Sequence, residues 1–189
     1  MKKYELTTET KVISGHTLYR IRALVAFGSV DAGELGGWIE NEMNLAQYGN
    51  AWVYGNAQVY GNAQVYGAAQ VYGNAWVCGN AWIYGDAEVY GNAEVYGNAQ
   101  VYGNAEVCGN AQVCDNAAIM TISHIGSRFG TTTFFVLNNG KIGVQCGCFY
   151  GDIDEFAAKV EQTHGNNQHG KAYKLAIELA KLRLQTRKE

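Results

Sequence analysis

The sequence predicts a mainly β protein: a three-sided parallel β-helix of about five coils, with an N-terminal β-hairpin cap and a C-terminal α+β cap. Three observations predict it. Twelve consecutive six-residue units, close to Tyr-Gly-Asn-Ala-x-Val, run from Gln47 to Ala118. A period of six with one aliphatic and one small residue per unit suits a chain that winds about its own axis, three units to a turn. The segments flanking the array read differently, as hairpins and amphipathic helices, and so predict caps.

Within one unit, Ala57 to Asn62, strand alternation sends Ala57 and Val59 to one face and Gln58 and Tyr60 to the other. The apolar pair points inward. Gly61 and Asn62 turn the corner, since glycine accepts positive φ freely and asparagine more readily than most residues. The long interior positions are then Val53, Val59, Val65, Val71, Val77, Ile83, Val89, Val95, Val101, Val107, Val113 and Ile119. The register extends to Leu35, Ile39 and Leu45 at one end and to Ile125 at the other. The domains expected are therefore a cap over 1–34, the β-helix over 35–124 and a second cap over 125–189.

In the first cap, Lys11 to Ile13 and Leu18 to Val25 read as strands joined across Ser14-Gly15-His16, a hairpin placed to cover the open edge of the first coil. In the second, Thr132 to Leu137 and Lys141 to Cys146 flank the turn Asn138-Asn139-Gly140. Asp152 and Glu155 make a capping box for a helix to His164. After a loop from Gly165 to Gly170, a second helix runs over Lys171 to Gln185, with Tyr173, Ala176, Ile177, Ala180 and Leu184 on one stripe.

Stacking by one turn sorts the outward residues into three sides. Only the third side carries no carboxylate; it presents Gln64, Trp82 and Gln100 beside Tyr48, Tyr66, Tyr84, Tyr102 and Met120. An uncharged aromatic strip of that height predicts a self-association surface. The expected interface of a homotrimer is Tyr48, Tyr66, Trp82, Tyr84, Tyr102 and Met120. On the first side Glu88 and Glu106 fall one coil apart, where like charges repel unless water or a cation intervenes.

The formal net charge is −3, and no Lys or Arg occurs between Arg22 and Arg128. A duplex nucleic-acid binder needs a basic stripe, which the coils lack. No apolar run has transmembrane length, so no membrane partner is expected. Five cysteines without a secretory leader read as reduced thiols in a cytoplasm.

The densest polar cluster lies just past the array, in Gly126-Ser127-Arg128-Phe129-Gly130-Thr131-Thr132-Thr133. Hydroxyls, free backbone N–H groups and one guanidinium suit a phosphate or carboxylate, and nearby aromatics suit a flat group. The expected ligand contacts are Ser127, Arg128, Thr131, Thr132 and Thr133; the alternative is a loop whose Arg128 pairs with coil carboxylates. Cys146 and Cys148, with His164 and His169, form a second cluster. Its Cys-x-Cys spacing is tighter than a zinc knuckle's, so no metal is assigned, and alternation would pack both thiols on one strand face. No cofactor is expected.

The Val-x-x-x-Ala-x spacing resembles the hexapeptide pattern of left-handed parallel β-helix proteins, most of which are trimeric acyltransferases. The wording Val-Tyr-Gly-Asn-Ala, followed by Ile125 to Phe135 and Cys146 to Phe149, is similar to small phage and prophage Tyr-Gly-Asn-Ala-repeat proteins. The resemblance implies left-handed winding, trimeric assembly and, from the phage proteins, a counter-defence role in a host cytoplasm. An acyltransferase would use a histidine base, and His124 is the one beside the coils. Yet the coils offer neither a cation for a phosphorylated carrier nor an insertion loop. The expectation is thus a non-catalytic trimeric binding protein that holds a small anionic or nucleotide ligand or a host protein. An acyltransferase using His124 and an end-to-end filament are the alternatives.

Overall fold

The structure is a computed structural model that describes residues 2–114, 119–137 and 139–184. A long hairpin opens the chain, β1 (Tyr4–Ile13) and β2 (His16–Ala23), followed by β3 (Leu35–Ile39). The array then supplies two-residue strands: β4 (Trp52–Val53), β5 (Gln58–Val59), β6 (Gln64–Val65), β7 (Gln70–Val71), β8 (Trp76–Val77), β9 (Trp82–Ile83), β10 (Glu88–Val89), β11 (Glu94–Val95), β12 (Gln100–Val101), β13 (Glu106–Val107) and β14 (Gln112–Val113). They stack in parallel as β3-β5-β8-β11-β14, β4-β7-β10-β13 and β6-β9-β12, the three sides of a β-solenoid of about four turns.

The interior is as the alternation predicts. Every long position from Val53 to Val113 is buried, and so is the alanine two residues before each, from Ala51 to Ala111. Burying each valine side chain contributes about 1.5–3 kcal/mol gross. The corners need glycine twice over. Gly73 has φ +71°, and a Cβ there would lie 3.0 Å from the backbone of Gly91 in the next coil. Exposed asparagine amides bridge successive coils at two corners, as between Asn62 and Asn80 at 3.1 Å and between Asn74 and Asn92 at 3.3 Å.

The first coil departs from the expected register. Trp38 pairs with Gln58 and Leu45 with Val65, twenty residues on, whereas Trp52 pairs with Gln70, eighteen on. Gln47 and Tyr48 are the two extra residues, because Ala46 N–H donates to Val65 while Asn50 N–H donates to Gly67. Ile39 and Leu45 therefore hold long interior positions, Gly37 stands where Ala57 stands in the next coil, and Leu35, expected inside, is exposed. The insertion is used: Gln47 Oε1 accepts from the N–H groups of Lys3 and Tyr4, fastening β1.

The hairpin covers this end more fully than expected. β2 pairs antiparallel with β3, and Trp52, expected to face outward, is buried against Tyr4 and Phe27. Tyr60 is buried with Leu18 and Trp38. Lys3 lies buried beneath the first coil, its Nζ 2.9 Å from the carbonyl of Ala51, and burial pushes its pKa down to about 8.

At the other end the solenoid stops earlier than His124. Ile119 and Ile125 keep the spacing of six but belong to β15 (Ile119–Ile125), the edge of a four-stranded antiparallel sheet with β16 (Gly130–Val136), β17 (Ile142–Cys146) and β18 (Phe149–Asp152). The two faces of β16 serve two cores: Phe135 plugs the solenoid, and Phe134 packs under the helices α1 (Ile153–His164) and α2 (Gln168–Leu184). The expected capping box is present, with Asp152 Oδ1 accepting from Glu155 N–H at 3.0 Å. Asn138 and Gln185, named in the expected turn and helix, lie outside the described residues. Among the described residues no helix is long and apolar enough to cross a membrane.

Candidate functional site

Between the last coil and the C-terminal cap lies a cleft of about 500 Å³. Five pieces of chain meet there. The coil contributes Asn104 and Glu106; the β15–β16 turn contributes Ser127, Arg128, Gly130 and Thr131; the β17–β18 turn contributes Cys146, Gly147, Cys148 and Phe149; α1 and α2 contribute Phe156, Lys159, Thr163, His164 and Tyr173. Parts of the two clusters singled out separately in the sequence thus line one cleft.

The floor is aromatic. Phe156 packs edge-on against Tyr173 at 5.5 Å and tilted against Phe149 at 5.1 Å, while His164 stacks on Tyr173 at 5.7 Å. Burial pushes the Tyr173 phenol up to about 12, with Cys146 reinforcing it from 3.6 Å. Cys146 Sγ also receives the hydroxyl of Thr132 at 3.1 Å.

The rim is polar and carries two cations, Arg128 and Lys159. Ser127 and Arg128 are exposed on the turn, and among the described residues Arg128 makes no ion pair with a coil carboxylate. Glu106 is engaged elsewhere: its carboxylate accepts the Tyr90 hydroxyl at 3.2 Å. The same device relieves the Glu88–Glu106 pair in register across β10 and β13, since Glu88 accepts from Tyr72 at 2.6 Å. A tyrosine thus reaches the carboxylate sixteen residues ahead in both cases.

Three of the five expected ligand residues reach the cleft. Ser127, Arg128 and Thr131 line it, Thr131 also sharing a hydrogen bond with Ser123 at 3.1 Å. Thr132 and Thr133 do not reach it. Both are buried, Thr132 held on Cys146 and Thr133 accepting from Glu106 N–H at 3.1 Å, which seats the cap on the last coil. Strand alternation turns Thr132 towards Cys146 and Thr133 towards the last coil, a division that their clustering in sequence conceals.

Cys148 is not on a strand face beside Cys146; Gly147, with φ +57°, turns the chain and leaves Cys148 exposed at the mouth of the cleft. Among the described residues no three of His, Cys, Asp and Glu gather to hold a metal. His169 packs against His164 at 5.8 Å. His124 is exposed on β15 with φ +58°, in the bulge of that strand, and does not line the cleft. Of α1, sequence reasoning brings only His164 to the site. The available signal is the run Phe156, Lys159, Val160, Thr163, His164, whose helical spacing puts them on one face.

On the third side, Tyr66, Tyr84 and Tyr102 stack at 5.0 and 5.3 Å, as Tyr72 and Tyr90 do on the first side at 4.8 Å. Trp82 and Tyr102 stay open to solvent. Tyr48 stands on the inserted corner and is exposed, but Ala46 takes its place in the column. Met120 lies on β15, where it packs against the helical core and lines a recess with Tyr102 and Arg183.

Stacked short parallel strands with a closed aliphatic interior define a β-solenoid repeat protein. Within that class, residues 57–73, 69–85 and 99–115 match the family model of the YdcK beta solenoid repeat. The match covers coils and leaves out the cap that furnishes most of the cleft. No curated protein matches the chain.

Proposed function

We propose that the protein is a non-catalytic binding protein that holds a small anionic, nucleotide-like ligand in the cleft between the last coil and the C-terminal cap. One observation carries this reading: the Ser127–Arg128 turn and the Cys146–Phe149 turn converge on one cleft with an aromatic floor and a cationic rim. Its volume is in the range that encloses small ligands. Phe149 and Tyr173 supply flat surfaces for a base, Arg128 and Lys159 supply charge for a phosphate, and Ser127 and Thr131 supply hydroxyls. The likeness of the coils to phage proteins supports a counter-defence role in which such a ligand is a signal withdrawn from the host cytoplasm.

Calorimetric titration with a panel of mono- and cyclic oligonucleotides tests the reading. Binding by the wild type should fall about 10- to 150-fold in Arg128→Ala, the loss of one charge-assisted hydrogen bond. Unchanged affinity in that variant removes the reading.

The same reading includes a homotrimer joined through the aromatic third side, supported by the exposure of Trp82 and Tyr102. Sedimentation equilibrium at micromolar concentration should give three times the 20.6 kDa chain mass. A monomer under those conditions defeats this part of the proposal.

A further inference from the structure

Helix α2 is apolar on two faces. Tyr173, Ala176, Ile177, Ala180 and Leu184 face the core, but Leu175, Leu179 and Leu182 point away from it and are 73%, 47% and 71% exposed. One exposed leucine is ordinary; three in a row on one helical stripe are not. Their spacing of four and then three is that of a coiled-coil seam, continued backwards by half-buried Ala172. Lys174 and Lys181, which pair with Glu161 and Asp154, tie a different edge of α2 to α1 and leave the leucine stripe clear.

The charges beside the stripe say what fits it. With Leu175 and Leu182 at the d positions and Ala172 and Leu179 at a, exposed Glu178 falls at g and Arg183 at the following e. In two parallel helices packed in register, g of one copy meets e of the other five residues further on. Glu178 and Arg183 are five apart and opposite in charge, so each α2 matches a parallel copy of itself. An antiparallel pair would set Glu178 against Glu178.

We infer that α2 is a self-association helix: the Leu175–Leu179–Leu182 stripe packs in parallel on the same stripe of a second copy of this chain, with Glu178 of each facing Arg183 of the other. This surface is separate from the aromatic third side, though Arg183 also lines the recess containing Tyr102 and Met120, which brings the two surfaces close. A preformed helix on a folded cap supplies the order that a short isolated coiled coil lacks.

The test uses the full chain in sedimentation velocity across a concentration series, with circular dichroism confirming the fold of each variant. Made in a Trp82→Glu background, which removes contact through the third side, Leu179→Glu should weaken the remaining association at least 100-fold. Glu178→Arg alone and Arg183→Glu alone should each weaken it about tenfold, since two attractive pairs become repulsive. Mixing these two variants should restore assembly, because both seam contacts of the mixed pair again join one acidic and one basic side chain. Trp82→Glu separates the surfaces: it should disrupt contact through the third side and leave the leucine seam intact. A Trp82→Glu chain that stays monomeric at about 100 μM overturns the inference, as do charge variants that fail to recover on mixing.

Discussion

Asn44→Leu should cost about 4 kcal/mol and unravel the first coil, because Asn44 is wholly buried and its side chain stands in for a missing strand. Its amide donates to the carbonyls of Gly61 and Ala63 at 3.0 and 2.8 Å, groups that a coil below would otherwise satisfy. Its Oδ1 accepts from the N–H groups of Glu40 and Asn41 at 3.1 and 3.0 Å. A leucine leaves the Asn41 N–H and the carbonyls of Gly61 and Ala63 without partners, three groups each worth about 1 kcal/mol or more when buried, while Glu40 N–H keeps the Val59 carbonyl. Asn44→Asp keeps the two acceptor contacts but turns an anion towards two carbonyls, so it should be no milder. The ladder asparagines set the contrast: Asn56 meets Asn74 at 3.4 Å on an exposed corner, and Asn56→Ala should cost under about 0.5 kcal/mol. Urea unfolding measures each difference, and hydrogen exchange at Glu40 and Asn41 should rise first in Asn44→Leu. A loss near that of Asn56→Ala would show that the first coil is held by the hairpin alone.

The insertion that creates this staple explains what the sequence hid. Tyr48-Gly49-Asn50 looks like the start of an ordinary unit, so Gln47 and Tyr48 read as continuing the array rather than interrupting it. The consequence surfaces only upstream, where Leu35 loses its interior place and Asn44, unremarkable by type, becomes the most heavily bonded side chain of the coil. At the far end the same kind of mimicry misleads. Ile119 and Ile125 preserve a spacing of six while pairing in an antiparallel sheet, because strand alternation buries every second residue in either geometry. Interior positions between Val53 and Val113 were legible because only one winding hides all of them at once. The site was legible in parts. Residue types marked Arg128 and Cys146, but their meeting in one cleft depends on a sheet and two helices whose packing no local pattern encodes. Thr132 and Thr133 are the clearest case: chemically apt for a ligand, they hold the cap together instead.

Stability should peak near pH 9 and collapse between about pH 10 and pH 12, the range set by buried phenols and a buried thiol. Tyr60 and Cys108 are buried against the solenoid and Tyr173 in the cap, and burial pushes their pKa values up to about 12, 11 and 12. Tyr4, Tyr72 and Tyr90 are raised further, first by burial and then, for Tyr72, by the Glu88 carboxylate that holds its proton. A raised folded-state pKa on an acid means that the folded protein keeps a proton the unfolded chain has released. The stabilisation is therefore intact below the unfolded value, near 9 for cysteine and 10 for tyrosine, and is lost as pH climbs through the folded value. Shifts of this size on three buried groups amount to several kcal/mol, on the order of a domain's whole stability. Lys3 works in the opposite sense. Its pKa of about 8 lies below the unfolded 10.5, so the folded state sheds a proton first and gains stability from about pH 8 upward. The two trends cross to give the maximum, and Lys3→Met should erase the rising limb while leaving the alkaline collapse. Urea midpoints taken from about pH 7 to pH 12, with tyrosinate absorbance recorded alongside, decide the matter. The phenols of Tyr60 and Tyr173 should ionise only together with loss of β structure; their ionisation near pH 10, the ordinary value, in a still-folded protein would mean that these sites are open to water.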